Sequence, residues 1–143
     1  MKTRQPLHQI VKLNLWGNDL CDVAFLKNLP NLEVVALTVN QLSTLEDFQQ
    51  CYKLKELYLR KNSIPADVRQ LDYLSTLSSL KVLSLIENPI SRLLPNYRLM
   101  VLKYLPQLEK LDDIPVTHEE LEEARDVEMD NGYLVEEPEN TTP

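Results

Sequence analysis

The chain has 143 residues, 43% of them hydrophobic and 26% charged, which is the length and composition of one ordinary globular domain. It contains no run of about 18 apolar residues, and its polar start lacks the apolar core of a signal peptide, so we expect a cytoplasmic protein without membrane insertion. Two cysteines are too few for a disulfide framework or a four-ligand zinc site, and two glycines leave no phosphate-binding loop.

Residues 1–9 precede any periodic pattern and form a short N-terminal lead. After them, four stretches share the pattern L-x-x-L-x-L-x-x-N-x-L, with isoleucine or valine at some of the leucine positions; they span residues 10–20, 32–42, 54–64 and 80–90. Four matches in one register indicate a leucine-rich repeat. We therefore predict an α/β leucine-rich-repeat solenoid over residues 10–111, with four repeats and a C-terminal cap. A parallel sheet should line its concave side, and 3₁₀ or α turns its convex side.

The asparagine that ends each repeat is predicted to be structural. The four are Asn18, Asn40, Asn62 and Asn88. The chain bends sharply after each strand, and a buried asparagine side chain can hydrogen-bond the backbone groups that the bend leaves unpaired. We interpret these regular polar residues as part of the fold and not as a binding site.

The return path of each repeat spaces its apolar residues as a 3₁₀ or α turn requires. Cys51 occupies one of these positions and is predicted to be a small core residue. Successive asparagines are 22, 22 and 26 residues apart, so the third repeat carries an insert. Because Pro65 stands at its start and Val68, Leu71 and Leu74 keep helical spacing, we predict an α-helix there that Pro65 opens.

The last repeat needs a cap, because an open end exposes a leucine row and an unpaired strand edge. Apolar residues between Tyr97 and Leu105 fall on one helical face, and Leu108 and Leu111 supply a fifth strand-like element. At the other end only the short lead is available. We expect the N-terminal end to be poorly capped or capped by a partner.

Charge separates the end of the chain from the repeats. Residues 1–111 hold 14 basic and 10 acidic side chains, whereas residues 112–143 hold 12 acidic side chains and one arginine, so the formal −7 belongs to the C-terminal part. We assign residues 112–126 to a cap extension whose short helix begins with a capping box of Thr117 and Glu120. Residues 127–143 are predicted to be an acidic, disordered tail.

The sequence offers no convergent set of catalytic groups. His8 and His118 lie far apart in sequence, without a serine or cysteine nucleophile motif near either. Glu119 and Glu120 are adjacent on a predicted helix, so their two carboxylates cannot face each other across a substrate. We expect no enzymatic activity, no cofactor and no metal.

The exposed positions of the concave strands are the candidate binding surface. Several carry side chains that are larger or more apolar than solubility requires, beside basic ones. The partner-binding candidates are Trp16, Val34, Tyr58, Arg60, Lys61, Lys81, Val82 and Ile86. Two other interpretations stay open: Trp16 can fold over the first coil as part of a cap, and the basic residues can be a solvated patch and not a site for an acidic peptide.

The predicted face is small. Five strands about 4.8 Å apart give on the order of 400 Å², below the roughly 800 Å² per partner of a standard protein interface. We therefore expect the partner to be a helix, a peptide or a protein that also contacts the rim, and the domain by itself to be monomeric. Nucleic acid is not expected, because the basic cluster is small and the acidic tail would repel phosphates.

Several short stretches go beyond the generic repeat. The more specific ones are Trp16-Gly17 after Lys12-Leu13-Asn14, and the run Glu56-Leu57-Tyr58-Leu59-Arg60; the Glu87-Asn88-Pro89 run and the cap are shared widely among proteins with 22-residue repeats. In order, these stretches resemble the N-terminal domain of the cilia- and flagella-associated leucine-rich-repeat proteins, over about residues 10–125.

That resemblance implies a non-catalytic adaptor at the basal body that acts in cilium or flagellum assembly. It also implies a NIMA-related kinase as partner, and oligomerisation through a C-terminal helical segment that this chain does not contain. Two alternatives remain open. One is an acidic nuclear leucine-rich-repeat protein of histone-chaperone type, suggested by the acidic C-terminal part; the other is a phosphatase-regulator-like repeat protein, which shares the cap.

Overall fold

A computed structural model of the chain describes residues 6–127 and shows the predicted solenoid. Its strands form one sheet in sequence order: β1 (Lys12–Asn14), β2 (Val34–Ala36), β3 (Glu56–Tyr58), β4 (Val82–Ser84), β5 (Lys110–Leu111) and β6 (Ile114–Pro115). The first five are parallel, as predicted, and β6 turns back antiparallel to β5. The tail expected over 127–143 lies outside the described residues except for Val127.

Strand pairing places equivalent repeat positions side by side. Lys12 pairs with Val34, Val34 with Glu56, Glu56 with Val82, and Val82 with Lys110. Since a slip of one residue would turn every leucine away from the core, the leucine pattern itself specifies this register. The register read from the sequence is confirmed.

The leucine rows pack into one core that runs from the first convex turn to the cap. Leu57, Leu59, Leu83 and Leu85 are fully buried, and each such side chain contributes about 1.5–3 kcal/mol by leaving water. Cys51 is buried in the same core, as predicted.

The convex side consists of short turns and helices. The 3₁₀ turns are Leu7–Gln9, Ala24–Asn28 and Glu46–Phe48, and the helices are α1 (Val68–Leu74), α2 (Pro89–Leu93), α3 (Tyr97–Tyr104) and α4 (His118–Asp126). Helix α1 confirms the helix predicted for the third repeat, but Pro65 does not open it. Asp67 is its N-cap, because its carboxylate accepts the Arg69 N–H at 2.9 Å.

Helix α2 was not predicted from the sequence. Asn88 is its N-cap, Pro89 is its first residue, and the Asn88 N–H donates to Ser91 Oγ at 3.3 Å. Proline is suited to this position, because its fixed φ matches the helix and its missing N–H would have had no helical partner. The asparagine that closes the fourth repeat therefore also begins a helix.

Arg98 holds the C-terminal cap together. Its Nε donates to Glu120 Oε2 at 2.6 Å, and its other nitrogens donate to the carbonyls of Leu111 at 3.0 Å and Ile114 at 3.2 Å. The predicted capping box is present, since the Glu120 N–H donates to Thr117 Oγ1 at 3.1 Å and the Thr117 N–H to Glu120 Oε1 at 3.0 Å. One guanidinium thus connects α3, the β5–β6 turn and α4.

Asp112 closes the edge of β4. Its Oδ1 accepts the Leu85 N–H at 2.7 Å. In earlier coils the equivalent leucine N–H donates instead to a backbone carbonyl of the next coil. Asp112 Oδ2 accepts from the Tyr97 hydroxyl at 2.8 Å. Burial, together with the Asp112 charge, raises the pKa of Tyr97 well above its usual value, so this hydroxyl stays a donor at neutral pH.

The asparagines of the inner repeats bridge neighbouring coils. Asn62 Oδ1 accepts the Leu42 N–H at 2.9 Å, and Nδ2 donates to the carbonyls of Leu37 at 2.9 Å and Leu59 at 3.0 Å. Asn40 and Asn88 are also buried and make equivalent hydrogen bonds. Each accepts a backbone N–H of the preceding coil and donates to a carbonyl of that coil and to one of its own coil.

Asn18 differs from the other three. Its side chain is exposed and donates to the Trp16 carbonyl of its own coil at 3.1 Å. Within residues 6–127 no earlier coil lies against it, so it has no neighbour to bridge.

Candidate functional site

Three columns of side chains cross the concave face. They are Lys12, Val34, Glu56 and Val82; then Asn14, Ala36, Tyr58 and Ser84; then Trp16, Thr38, Arg60 and Ile86. The third column lies just beyond the strands and stays aligned, because the N–H groups of Gly17, Val39 and Lys61 donate to the carbonyls of Thr38, Arg60 and Ile86 at 2.9, 2.9 and 3.1 Å. Side chains that are far apart in sequence therefore form one continuous surface.

The apolar candidates lie toward the two ends of this surface. Trp16 is 62% exposed and Ile86 is 45% exposed, whereas Val34 and Val82 are half-buried between their neighbours. More than half of the Trp16 surface is therefore open to solvent at the first coil.

Strand β3 supplies a polar ridge between these apolar patches. The Tyr58 hydroxyl donates to Glu56 Oε1 at 2.6 Å, and this bond, with burial and the charges of Glu56 and Asp113, raises the pKa of Tyr58 to about 12. Arg60 Nε donates to Glu87 Oε1 at 2.6 Å, and that hydrogen bond lowers the pKa of Glu87. The phenol and the guanidinium are both oriented before any partner arrives.

The basic residues of this face are partly neutralised; they are the candidates Arg60, Lys61 and Lys81 together with the neighbouring Lys55. Lys55 pairs with Glu33 at 3.3 Å, and Arg60 pairs with Glu87. Lys61 is exposed and Lys81 is half-buried on neighbouring strands. With two of the four cations compensated by carboxylates, the surface is one of mixed charge and not a strongly positive patch.

The carboxylate partners were missed in the sequence, although both were readable from it. Glu56 and Tyr58 are two apart on one strand and so share a face. Arg60 and Glu87 are 27 residues apart but occupy neighbouring positions once the third and fourth repeats are aligned. An alignment of the repeats that compared their charged residues, as well as their leucines, would have identified this pair.

Within residues 6–127 no three of the His, Cys, Asp and Glu side chains are placed to hold a metal ion. His8 and His118 are both exposed. Burial raises the pKa of the Cys51 thiol to about 11, with a contribution from the Asp47 charge, so at neutral pH this thiol is protonated. In the same stretch of chain, no helix has the length and apolar character needed to cross a bilayer.

Two of the grooves formed by residues 6–127 lie away from the concave face. The larger, about 450 Å³, separates the convex turns of the first two repeats and is lined by Leu29, Pro30, Cys51 and the exposed Tyr52, among others. The smaller, about 330 Å³, lies on the cap between α3 and α4, beside Leu102, Leu121 and Arg125. Neither was predicted, because each forms between elements that are far apart in sequence.

Comparisons with known proteins agree with the fold and the resemblance. A family model described as leucine-rich repeat matches residues 7–132. Cilia- and flagella-associated protein 410 of Mus musculus is 49% identical over 119 residues, which is 82% of this chain and 47% of the mouse protein. Dynein axonemal assembly factor 1 of Rattus norvegicus is 40% identical over 72 residues, which is 50% of this chain and 11% of that protein.

Among solved structures, a chain of the Drosophila melanogaster SNF/U2A' complex superposes with a TM-score of 0.72 at 26% sequence identity. The match covers 83% of this chain and 68% of that one. The present chain spans just under half the length of the mouse protein that it matches. From its repeats, fold and relatives, the chain belongs to the leucine-rich-repeat family and is related within it to the cilia- and flagella-associated proteins.

Proposed function

We propose that this chain is a non-catalytic adaptor domain that acts in cilium or flagellum assembly by binding a segment of a partner protein on its concave face. The observation that carries the proposal is the exposed pair Trp16 and Ile86, set on either side of the oriented side chains of Tyr58 and Arg60. Exposed aromatics beside an arginine are typical of the residues that dominate binding energy.

The dimensions of the face favour a helical segment lying across the strands. Trp16 and Ile86 extend from the first and fourth strands, three strand spacings apart, or about 14 Å. A helix covers that distance in about nine or ten residues. We therefore expect a partner helix with an apolar residue at each end of this span and polar residues between them, opposite Glu56 and Arg60.

Location at the basal body and a NIMA-related kinase partner are finer parts of the proposal. Both are implied by the family resemblance of the sequence, whereas the similarity to cilia- and flagella-associated protein 410 supports the broader assignment to cilia and flagella. Proximity labelling in a ciliated cell reports place and partners together. Enrichment of basal-body proteins and of the kinase is expected; labelling confined to the nucleus, with histones enriched, would favour the histone-chaperone alternative.

The concave face is tested by pull-down from ciliated cells. The test variant is the double substitution Trp16→Ala and Arg60→Glu. The matched control is Tyr52→Ala with Arg69→Glu, because Tyr52 is also 62% exposed and Arg69 also pairs with a carboxylate, that of Asp67, but both lie off the concave face. We expect the concave variant to lose partners that the control retains.

An identical partner list for the wild type and the concave variant would contradict docking on this face. Loss of the same partners from both variants would assign binding to overall integrity or to the convex side. Circular dichroism of each variant confirms that the fold is intact before the comparison is made.

A further inference from the structure

The outer edge of β1 is an open strand edge. On the side that faces β2, the Val11 carbonyl accepts the Val34 N–H at 3.1 Å, and the Leu15 N–H donates to the Ala36 carbonyl at 2.8 Å. Because successive residues of a strand point their N–H and C=O groups to opposite sides, those of Lys12 and Asn14 point away from β2. Within residues 6–127 no strand pairs with this side.

Apolar side chains surround this edge. Leu7, Val11, Trp16 and Phe25 are 52%, 38%, 62% and 38% exposed. The core row of the first coil is only half-buried, in contrast to the fully buried rows behind it; its members are Ile10, Leu13, Leu15 and Leu20. Unpaired backbone next to half-exposed leucines is a template for strand pairing.

We propose that a second copy of this chain covers the edge, with the two β1 strands pairing antiparallel about a two-fold axis at Leu13. The sheet and the leucine core then continue from one copy into the other, and both concave faces lie on the same side. This inference is independent of the proposed function and goes against the monomer expected from the sequence.

The residues on the edge select one register. Antiparallel residues bond in pairs, and the outward groups allow three symmetric arrangements. Pairing Lys12 with Lys12 of the second copy sets like charges directly opposite, which is unfavourable. Pairing Asn14 with Asn14 requires the Trp16 backbone, whose N–H already donates to Asn14 Oδ1 at 3.1 Å and whose carbonyl accepts from Asn18 Nδ2 at 3.1 Å.

In the remaining register Lys12 lies opposite Asn14 of the second copy. The two residues exchange backbone hydrogen bonds with each other, and the two-fold axis generates this Lys12–Asn14 pair twice. No like charges lie directly opposite each other, and Leu13 lies against Leu13 at the centre. Since one coil end is smaller than a standard interface, we expect association to be weak and to need concentrations on the order of 100 μM.

Two substitutions at the exposed Asn14 test this register with opposite signs. Asn14→Glu sets a carboxylate opposite Lys12 in both symmetric pairs and should tighten the dimer about five-fold. Asn14→Lys sets two like-charged pairs and should weaken it about five-fold. The dissociation constant is measured by sedimentation of the full chain over a concentration series. Because both substitutions remove the Asn14 amide and differ in the charge that replaces it, each is the control for the other.

A third variant and a distance measurement complete the test. Asn14→Pro removes the outward N–H and leaves the bonds of Leu13 and Leu15 to β2, so the dimer should be lost while the circular dichroism spectrum is unchanged. Spin labels on Cys21, which is exposed in the first coil while Cys51 is buried, should show dipolar coupling between copies. A chain that stays monomeric throughout, or a dimer that responds to none of the Asn14 variants, overturns the proposal.

Discussion

The first and third repeats carry the same motif but differ in burial. In the third, Leu57 and Leu59 are 0% exposed, with a coil on either side. In the first, Leu13 and Leu15 occupy the same positions and are only half-buried. The motif therefore specifies the path of one coil, whereas the free energy that holds it comes from its neighbours.

The two ends of the solenoid sharpen that contrast. At the C-terminal end, Asp112 and Arg98 bond the backbone groups that the last strands leave open. At the N-terminal end, a hydrogen bond from Asn31 Nδ2 to the His8 carbonyl at 2.6 Å ties the 3₁₀ turn Leu7–Gln9 to the start of the second repeat. Within residues 6–127, one end is sealed by side chains that reach across the chain, and the other presents its edge.

The largest expected effect distinguishes the leucines of the two repeats. Leu57→Ala should lower the free energy of unfolding by about 2–5 kcal/mol, because it leaves a cavity between two coils. Leu13→Ala should cost about 1 kcal/mol, because that side chain is only partly buried and a coil packs on one side of it alone within residues 6–127. Urea unfolding at low micromolar protein measures both, below the concentration at which a second copy would cover β1. Equal costs would show that the first coil is covered in the single chain.

The asparagines provide a second test of the same comparison. Asn62→Ala removes three hydrogen bonds and leaves the Leu42 N–H unpaired in the core, so it should cost about 2–3 kcal/mol. The Leu37 and Leu59 carbonyls keep the bonds that they accept from Asn40 and Asn88. Asn18→Ala should cost under about 1 kcal/mol, since its side chain makes one exposed bond. Thermal and urea unfolding of the two variants measure these costs. A larger loss of stability for Asn18→Ala than for Asn62→Ala would contradict the prediction.

The smallest expected effect concerns the sealed end and its dependence on pH. The hydrogen bond from Arg98 lowers the pKa of Glu120, so the carboxylate stabilises the folded state above its unfolded pKa of about 4.3, and this contribution is lost as the pH falls through the lower folded value. Glu120→Gln should therefore destabilise by about 1 kcal/mol at pH 7, with the difference shrinking below about pH 4.

Urea midpoints of the parent and of Glu120→Gln from pH 7 to pH 3 measure this change. The control is Glu119→Gln, an exposed neighbour on the same helix. A gap between the parent and Glu120→Gln that stays constant as the pH falls would show that the Arg98 pair does not depend on the ionised carboxylate.

The features that the sequence predicted correctly rest on local patterns. The register of the strands follows from the leucine spacing, α1 from three apolar residues at helical spacing, and the start of α4 from Thr117 and Glu120. Each of these signals lies within a few residues or repeats at a fixed interval. Local rules also explain the one misplaced start, because Asp67 rather than Pro65 supplies the N-cap acceptor of α1.

The features that it missed depend on distant contacts. The antiparallel strand β6 exists because Arg98 binds the carbonyls of its turn, and the polar ridge of the concave face exists because Glu87 reaches Arg60 from the next coil. For the candidate site, the sequence identified which side chains face outward. It did not identify which of them are already paired.

By itself, the sequence determined the coil, the number of repeats and the columns of the concave face, because a repeated pattern of leucines allows one register in which every row is buried. Only the tertiary structure decided which of these equivalent repeats is fully buried, which end is sealed and which charges are compensated. The physical reason is that burial and pairing belong to contacts between coils. Four matching motifs therefore become three enclosed coils and, in the part of the chain that the structure describes, one coil with an open edge.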